Sequence, residues 1–591
     1  MILINEKRFI DKQYIFVDFF DTVMFRRIHS HQMPKLWDNA LSKKLGLEKG
    51  KLLSTRKEAI KHIASNECAI SYAILCNEIY SMIKDQLGTM TKEEFAELSK
   101  QIELYIEFGV QYLNQEIVDF LRKQKKCQKK IVLVSDFYLP KDAYYIFLKK
   151  YSMDNFFDHI YCSSDIGKTK HSGELYKYIL EDLGISAHDV IMIGDSRLSD
   201  VDSANRNGID AVRYFPISHK ILTNIRKKSG HNCSKIAYKN IKIESQRTCI
   251  FGAYAFPLVY VTKQLHNHLY SDAQNANFLS RGGYFLKEVF DAYEEISIPQ
   301  KEKVQSTYLL NSRKVNKKAK HNKEDREMLL EYLSLFKKNG KLCFIDEGWY
   351  GHGQILFTET LGLETKGYYL GLMENFFIDK CDREGILFGK DLNNTPSPFY
   401  GVFRTNCTLW EQILTAPHGS VQSYYKDTNG AIKAVLEENI KEKALYENCT
   451  KHIQEQLLDY VKAIYACECA FDKFELAKIL LKESLFAKKK KRSILRQYSS
   501  NYYNNIVDDS KKEFEKIASI KIDILDIILN PENYLRYFCK LKEKFNSNLA
   551  YALYCPIGTI LYFYIYAHLV VKKKRYKIDK NHKKGADISK M

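Results

Sequence analysis

The 591-residue sequence predicts an α/β protein with a parallel-sheet core, a helical cap, a second α/β domain and a mainly helical C-terminal region. Three observations carry that prediction. The apolar runs Tyr14–Val17, Ile131–Val134 and Val190–Ile193 each stop at or just before a chemically active residue, as buried parallel strands do. A long stretch of helical periodicity separates the first two runs, and beyond about residue 235 strands and helices alternate again.

The length exceeds what one hydrophobic core organises, so roughly two to four domains are expected. Composition shifts place them at residues 1–235, 236–430 and 431–591. With 45% hydrophobic and 13% aromatic residues the chain can bury those cores, and packed structure is expected for most of it. The N-terminus lacks a basic region followed by a long apolar stretch, so no export signal is expected. The 14 cysteines form no Cys-x-x-Cys pair, which predicts free thiols in a reducing cytoplasm. The net charge of +19 gathers in runs such as Arg122 to Lys130, Lys488 to Arg492 and Lys572 to Lys577. Solvated surface is the plain reading of such runs, and anionic lipid or an acidic polymer the sharper one. Nucleic acid ranks last, because no finger, helix-turn-helix or RNA-binding motif accompanies the charge.

The first domain carries four segments in order. They are Val17-Asp18-Phe19-Phe20-Asp21-Thr22-Val23, Val134-Ser135-Asp136, Lys170 ahead of Ser172-Gly173-Glu174, and Gly194-Asp195 through Asp200. Loops leaving the carboxyl ends of parallel strands converge on one crevice, so these residues are expected to share a site. A carboxylate nucleophile splits a difficult displacement into two easier steps. A lysine and a hard cation held by oxygen ligands neutralise the charge that gathers on a transferring group.

In this order, over roughly residues 10–225, the segments resemble the motifs of the haloacid dehalogenase (HAD) superfamily, largely Mg²⁺-dependent phosphatases that form an aspartyl-phosphate. The resemblance implies a Rossmann-like core in which Asp18 is the nucleophile. It further implies that Thr22 and Ser135 hold the phosphoryl group, that Lys170 offsets its charge, and that Asp18, Asp195, Asp200 and the Phe20 backbone carbonyl bind Mg²⁺. Phe20 departs from the pattern: phosphatases of the superfamily usually carry an acid there to protonate the leaving oxygen, and an aromatic is similar to the dehalogenase branch. A weakly active or non-catalytic phospho-ligand-binding scaffold is therefore the alternative to a hydrolase. The Phe19-Phe20-Asp21-Thr22 motif, with Ser135-Asp136-Phe137-Tyr138-Leu139-Pro140, is similar to a subgroup of long bacterial members found near surface-polysaccharide genes. That likeness implies a sugar phosphate or related ester as substrate.

Between the first two motifs, Leu52–Ala64, Ser71–Lys84 and Thr91–Leu121 show helical periodicity, with Thr91 and Glu94 placed as a capping box. An insertion at residues 25–125 of a HAD domain resembles the helical cap that closes over the site.

In the second domain, Ser306–Leu310, Lys341–Ile345 and Gly367–Leu372 read as strands, and an acidic glycine loop runs from Asp346 to Gln354. Glycines let backbone N–H groups approach an anion, so Asp346, Glu347, Gly351 and Gly353, with Arg281 and Arg313 as anion partners, form a possible second site. The alternatives are a tight turn whose Trp349 fills the core, and a transferase activity housed in this half of the chain. Residues 430–545 read as mainly helical. Leu549 to Val571 contains no Asp, Glu, Lys or Arg and runs into Lys572-Lys573-Lys574-Arg575, so it reads as a membrane anchor, a segment lying in the membrane interface or a buried helix pair, and the basic residues are expected to meet the anionic inner face of a membrane.

Overall fold

The computed structural model describes residues 5–64, 70–214, 216, 238–239, 241–242, 245, 249, 251–373, 381–390, 396–405, 407–486, 531–535 and 555–573. The chain divides into two compact units, the first mostly Met1–Ile241 and the second Lys242–Glu295, Lys301–Lys462 and Phe471–Met591.

The first unit is built on five parallel strands. Its labelled strands are β1 (Tyr14–Val17), β2 (Met24–Arg26), β3 (Gln111–Leu113), β4 (Lys130–Ser135), β5 (His159–Cys162), β6 (Val190–Gly194) and β7 (Asp210–Arg213). The sheet order is β5-β4-β1-β6-β7, with Val17 level with Leu133 on one side and Ile193 on the other. The unbroken apolar runs follow from burial on both faces. Ile15, Val17, Ile131, Leu133, Ile191 and Ile193 enter one core cluster, while Phe16, Val132, Val134, Val190 and Met192 enter the opposite one.

β2 and β3 pair antiparallel as a stem, and between them lie helices α1 (Met33–Leu45), α2 (Lys51–Ala64), α3 (Tyr72–Ile83) and α4 (Lys92–Val110). The expected capping box is formed, with Thr91 and Glu94 bonding each other's backbone N–H. The expected continuous helix from Thr91 to Leu121 is instead interrupted by β3, and a new helix spans Gln115–Lys126. Asn114 fixes the break: its side-chain amide donates to Thr22 O at 2.7 Å and to Tyr214 Oη at 3.1 Å. Within the cap, Arg56 grips Glu103 at 2.7 and 3.1 Å, and both side chains are almost wholly buried.

The second unit repeats the principle with β8 (Ala276–Leu279), β9 (Ser306–Leu309), β10 (Leu342–Trp349), β11 (Thr365–Leu372) and β12 (Asp382–Phe388), all parallel in the order β12-β11-β10-β8-β9. The winding reverses between β8 and β10, a doubly wound arrangement with its switch point there. One expectation is corrected. Asp346, Glu347, Gly348 and Trp349 are the last four residues of β10, paired with β11 through Asp346↔Tyr369 and Trp349↔Leu372, and only Tyr350 and Gly351 turn before a helix begins at His352. Gly348 lets the strand continue, since a Cβ there would stand 2.3 Å from Gly371 O at a φ of +101°. Trp349 is buried, as the tight-turn alternative expects, stacked on Phe388.

Beyond this sheet come a hairpin of β13 (Val421–Lys426) and β14 (Ile432–Leu436) and the helices Lys451–Ala466 and Lys473–Phe486. The rest of the expected helical region, 487–530 and 536–545, lies outside the described residues, as do 549–554 and the basic residues from Lys574 onward. Cys555–Lys573 forms one helix, long and apolar enough by length and composition to cross a membrane. Ile565 and Leu569 are buried, and Tyr566 packs on Phe474. Ile557, Ile560 and Phe563 stay 45%, 70% and 63% exposed.

Candidate active site

Asp18 follows β1 directly, its N–H donating to Ile193 O at 2.9 Å, so the β1–β6 pairing sets its backbone. The chain then turns sharply. Asp21 takes a φ of 61°, its N–H donates to Met24 O at 2.7 Å, and the Val23 and Met24 N–H groups both donate to Phe19 O. That turn buries Thr22 and starts the cap stem. Ser135 ends β4, and Asp136 after it accepts from the Lys170 N–H at 2.8 Å and the His171 N–H at 3.3 Å. Ser203 Oγ donates to Lys170 O at 2.6 Å, completing the clamp on that loop.

The result is a buried triad of charges. Lys170 Nζ lies 2.5 Å from Asp18 Oδ1 and 2.7 Å from Asp200 Oδ1, with all three side chains less than a tenth exposed. Asp200 also accepts from the Ser196 N–H at 2.9 Å, and Gly194 makes room for it, since a Cβ there would lie 2.3 Å from Asp200 Oδ2. Burial pushes the Asp18 carboxyl up to about 7; Lys170 pulls against this, while Asp200 and Asp21 add to it. Burial and then Asp18, Asp21 and Asp200 push Asp195 up to about 8. Burial works against the Lys170 charge, but Asp18 and Asp200 outweigh it and hold the ammonium well above its ordinary range.

Asp18, Asp195 and Asp200 each bring a carboxylate oxygen within 4.8 Å of the others, a hard-oxygen set compatible with Mg²⁺. Burial, and after it crowding of like charges, raises two of the three carboxyls, and a bound dication relieves both. The Thr22 and Ser135 hydroxyls are buried without a hydrogen bond of ordinary geometry, although the Tyr144 phenol is close enough to feel Ser135. Tyr144 also feels the Asp18 charge, which ties Ser135 to that corner of the site, where a buried hydroxyl suits an oxygen of a phosphoryl group.

Phe20 is packed rather than catalytic. Its ring lies 4.4 Å from that of Phe137, and the Arg26 guanidinium sits 3.8 Å above it while gripping Glu107 through Nε and Nη2. The sequence reading missed Arg26, Glu107 and the clamp role of Asp136. Only Asp136 had a local signal, as the acid that ends the second motif.

The second cluster of expected residues lies at the carboxyl edge of the other sheet. Glu347 faces Gly282, whose Cβ would stand 2.3 Å from Glu347 Oε2, and its carboxyl is held well above the usual range by burial, then by Glu411 and Asp346, against Arg281 and Arg313. Burial pushes Asp346 up to about 6, opposed by N–H groups of Glu347 and Gly348 and by Arg313. Arg281 is paired with Glu442 at 2.8 Å, and Arg313 is exposed. Gly351 and Gly353 lie around the turn after β10, next to Arg383 and Asn316 respectively. Glu411, which accepts from Trp349 Nε1 at 2.8 Å, and Arg383 had no motif to mark them.

Residues 58–214 match the family model for haloacid dehalogenase-like hydrolases. Among solved structures, the chain is similar to the magnesium-bound HAD-hydrolase YfnB of Bacillus subtilis (17% identity, 34% of this chain and 85% of that chain covered, TM-score 0.25). It is also similar to a 2-haloacid dehalogenase of Pseudomonas syringae (16%, 34% and 86%, 0.28). A third is a HAD family enzyme of Bacteroides thetaiotaomicron in complex with magnesium and inorganic phosphate (15%, 34% and 93%, 0.24). No curated protein matches the chain.

Proposed function

The N-terminal domain is a haloacid dehalogenase-like hydrolase domain, and from that premise we propose that it is a Mg²⁺-dependent phosphohydrolase working through a phosphoryl group carried on Asp18. The observation that carries this reading is the buried Asp18–Lys170–Asp200 triad, with Asp195 beside it and the Thr22 and Ser135 hydroxyls buried nearby in sequence, at the first and second motifs. A site relieved of chemistry has little reason to keep two carboxylates on one buried lysine, because burying such charges is costly.

Asp18, Asp195 and Asp200 would hold Mg²⁺, which supplies charge neutralisation for an incoming phosphate ester. An Asp18 carboxylate oxygen attacks phosphorus and the ester oxygen leaves, and water then cleaves the acyl phosphate to regenerate Asp18. Lys170 favours the ionised form of Asp18 against its burial and faces the charge that develops on the phosphoryl oxygens, while Thr22 and Ser135 donate hydrogen bonds to them. Phe20 contributes no proton, so the proton that an alkoxide leaving group takes up comes from solvent or from a group outside position 20. A sugar phosphate of surface-polysaccharide assembly is the substrate class we assign, on the first- and second-motif likeness. The exposed Ile557, Ile560 and Phe563, together with the basic residues that follow that helix, support a place at the anionic inner surface of a membrane.

Phosphate release from a panel of sugar phosphates, with and without Mg²⁺, tests the reading. Release that requires Mg²⁺ and vanishes in Asp18→Asn supports it. Tight binding of the same compounds with no release would favour the ligand-binding alternative that Phe20 raises.

A further inference from the structure

The second unit holds an arginine whose environment differs from that of the buried arginines of the first. Arg383, on β12, is only 6% exposed. Its Nη1 donates to Tyr350 O at 3.2 Å, whereas Nε and Nη2 are buried without a hydrogen-bond partner among the described residues. No carboxylate there pairs with it. Compare Arg26, equally buried, which uses the same two nitrogens to hold both oxygens of Glu107 at 3.0 and 2.9 Å. Nε and Nη2 form the parallel edge of a guanidinium that suits a two-oxygen acceptor. A buried cation without a counter-charge is among the more costly arrangements a fold can keep.

The place of Arg383 in the fold says what that edge is for. Nη1 of the guanidinium lies beneath the turn that leaves β10, 2.9 Å from where a Cβ of Gly351 would stand, so any larger residue there would press on the planar group that also carries Nε and Nη2. Gly351, at a φ of +66°, also brings the turn against Tyr369 Oη, 3.1 Å from the same point. Arg313 shares the turn with Arg383: after burial, these two charges are what hold His352 below its ordinary proton affinity. From the helix Arg313–His321, Asn316 places its amide nitrogen 3.7 Å from where a Gly353 Cβ would be, and its Oδ1 is buried without a hydrogen-bond partner among the described residues. The turn stands at the carboxyl edge of a doubly wound sheet, next to the reversal between β8 and β10, where such sheets take ligands.

We propose that the Tyr350–Gly353 turn is a second, phosphate-binding site, in which Arg383 grips two oxygens of a phosphate group and Arg313 offsets its remaining charge. Carboxylates satisfy the two-pronged edge as well, but a buried Arg383 with no acid paired to it among the described residues, and Arg313 beyond it although shared with Asp346 and Glu347, favour the higher charge of phosphate. The site is separate from the Asp18 centre and does not depend on that centre's being catalytic.

The test is thermal unfolding of the full chain in EDTA, titrated with inorganic phosphate, with acetate at matched ionic strength as control. Wild type should gain stability saturably with phosphate and not with acetate. Arg383→Met should lose that gain, and without phosphate should unfold at the wild-type temperature or above, because a buried uncompensated cation has gone. Lys170→Met, which alters only the Asp18 centre, should keep the gain. Arg383→Lys keeps the charge without the two-pronged edge and should need about tenfold more phosphate, which preserves the test if Arg383→Met does not fold. No response to phosphate in wild type, an equal response in Arg383→Met or Arg383→Lys, or loss of the response in Lys170→Met would each overturn the assignment.

Discussion

Arg26 lies with its guanidinium carbon 3.8 Å from the centre of the Phe20 ring while its Nε and Nη2 are committed to Glu107. The position two residues after Asp18 is thereby filled by a cation–π stack, and a leaving-group acid has no place there. Aryl phosphates, which leave without a proton, should be hydrolysed about 10²-fold or more faster than alkyl phosphates, the span a general acid normally covers. Steady-state rates across a series of leaving groups check this. Equal rates for both classes would mean that an acid outside position 20 serves the site.

Lys170 is the hinge of the electrostatics. Lys170→Met leaves Asp18 and Asp200 buried without a counter-charge, which should cost about 3–5 kcal/mol of stability and lower kcat about 10²-fold or more. Urea unfolding and phosphate-release assays on the same preparation separate the two effects, and added Mg²⁺ should restore part of the stability but not the rate.

Without metal, stability should fall as pH rises. Asp18 and Asp195 have ordinary values of 3.8 and are raised in the fold to about 7 and about 8, so between pH 4 and pH 8 the folded state binds more protons than the unfolded one. Stability is then highest at the acid end of that window and declines through pH 7–8 as these carboxyls ionise. Mg²⁺ should flatten the decline by stabilising the ionised forms. Thermal unfolding from pH 5 to pH 8.5 in EDTA and in Mg²⁺ checks the sign.

The parallel core was legible because strands buried on both faces leave an unmistakable signature: Ile131 to Val134 could hardly be anything else. Three of the four candidate-site segments were legible for a related reason, since Asp18, Ser135 and Asp195 sit at the ends of β1, β4 and β6, which the sheet order brings together, whereas Lys170 lies beyond β5 and the short helix Ser163–Ile166. What escaped was set by partners remote in sequence. The break at Asn114 depends on Thr22 and Tyr214, 92 and 100 residues away. The run from Asp346 to Trp349 reads as a glycine loop until β11 is beside it, because strand identity there comes from pairing and from Gly348. Arg383 carries no motif, and its character comes from what does not surround it.

The cap depends on one buried pair. Glu103→Ala removes the partner of Arg56 and the acceptor of the Tyr72 and Tyr138 hydroxyls, and should destabilise the protein by about 3–5 kcal/mol. A calorimetric scan should show the loss, whereas Glu97→Ala on the exposed side of α4 should leave the scan nearly unchanged.

The exposed face of Cys555–Lys573 should bind lipid. Ile560→Asp with Phe563→Asp is expected to reduce association with phosphatidylserine vesicles about tenfold or more, and high salt should weaken wild-type binding through the basic residues that follow. Vesicle sedimentation reads both effects, and binding that ignores the two substitutions would remove this helix from any membrane role.

The most direct test of the catalytic centre is to quench the Mg²⁺-loaded protein during turnover of a phosphate ester and identify the modified peptide by mass. A phosphoryl group on the peptide bearing Asp18, absent in Asp18→Asn, is the predicted result. Turnover with no phosphorylated Asp18, or a phosphoryl group on another residue, would contradict the assignment of Asp18 as nucleophile.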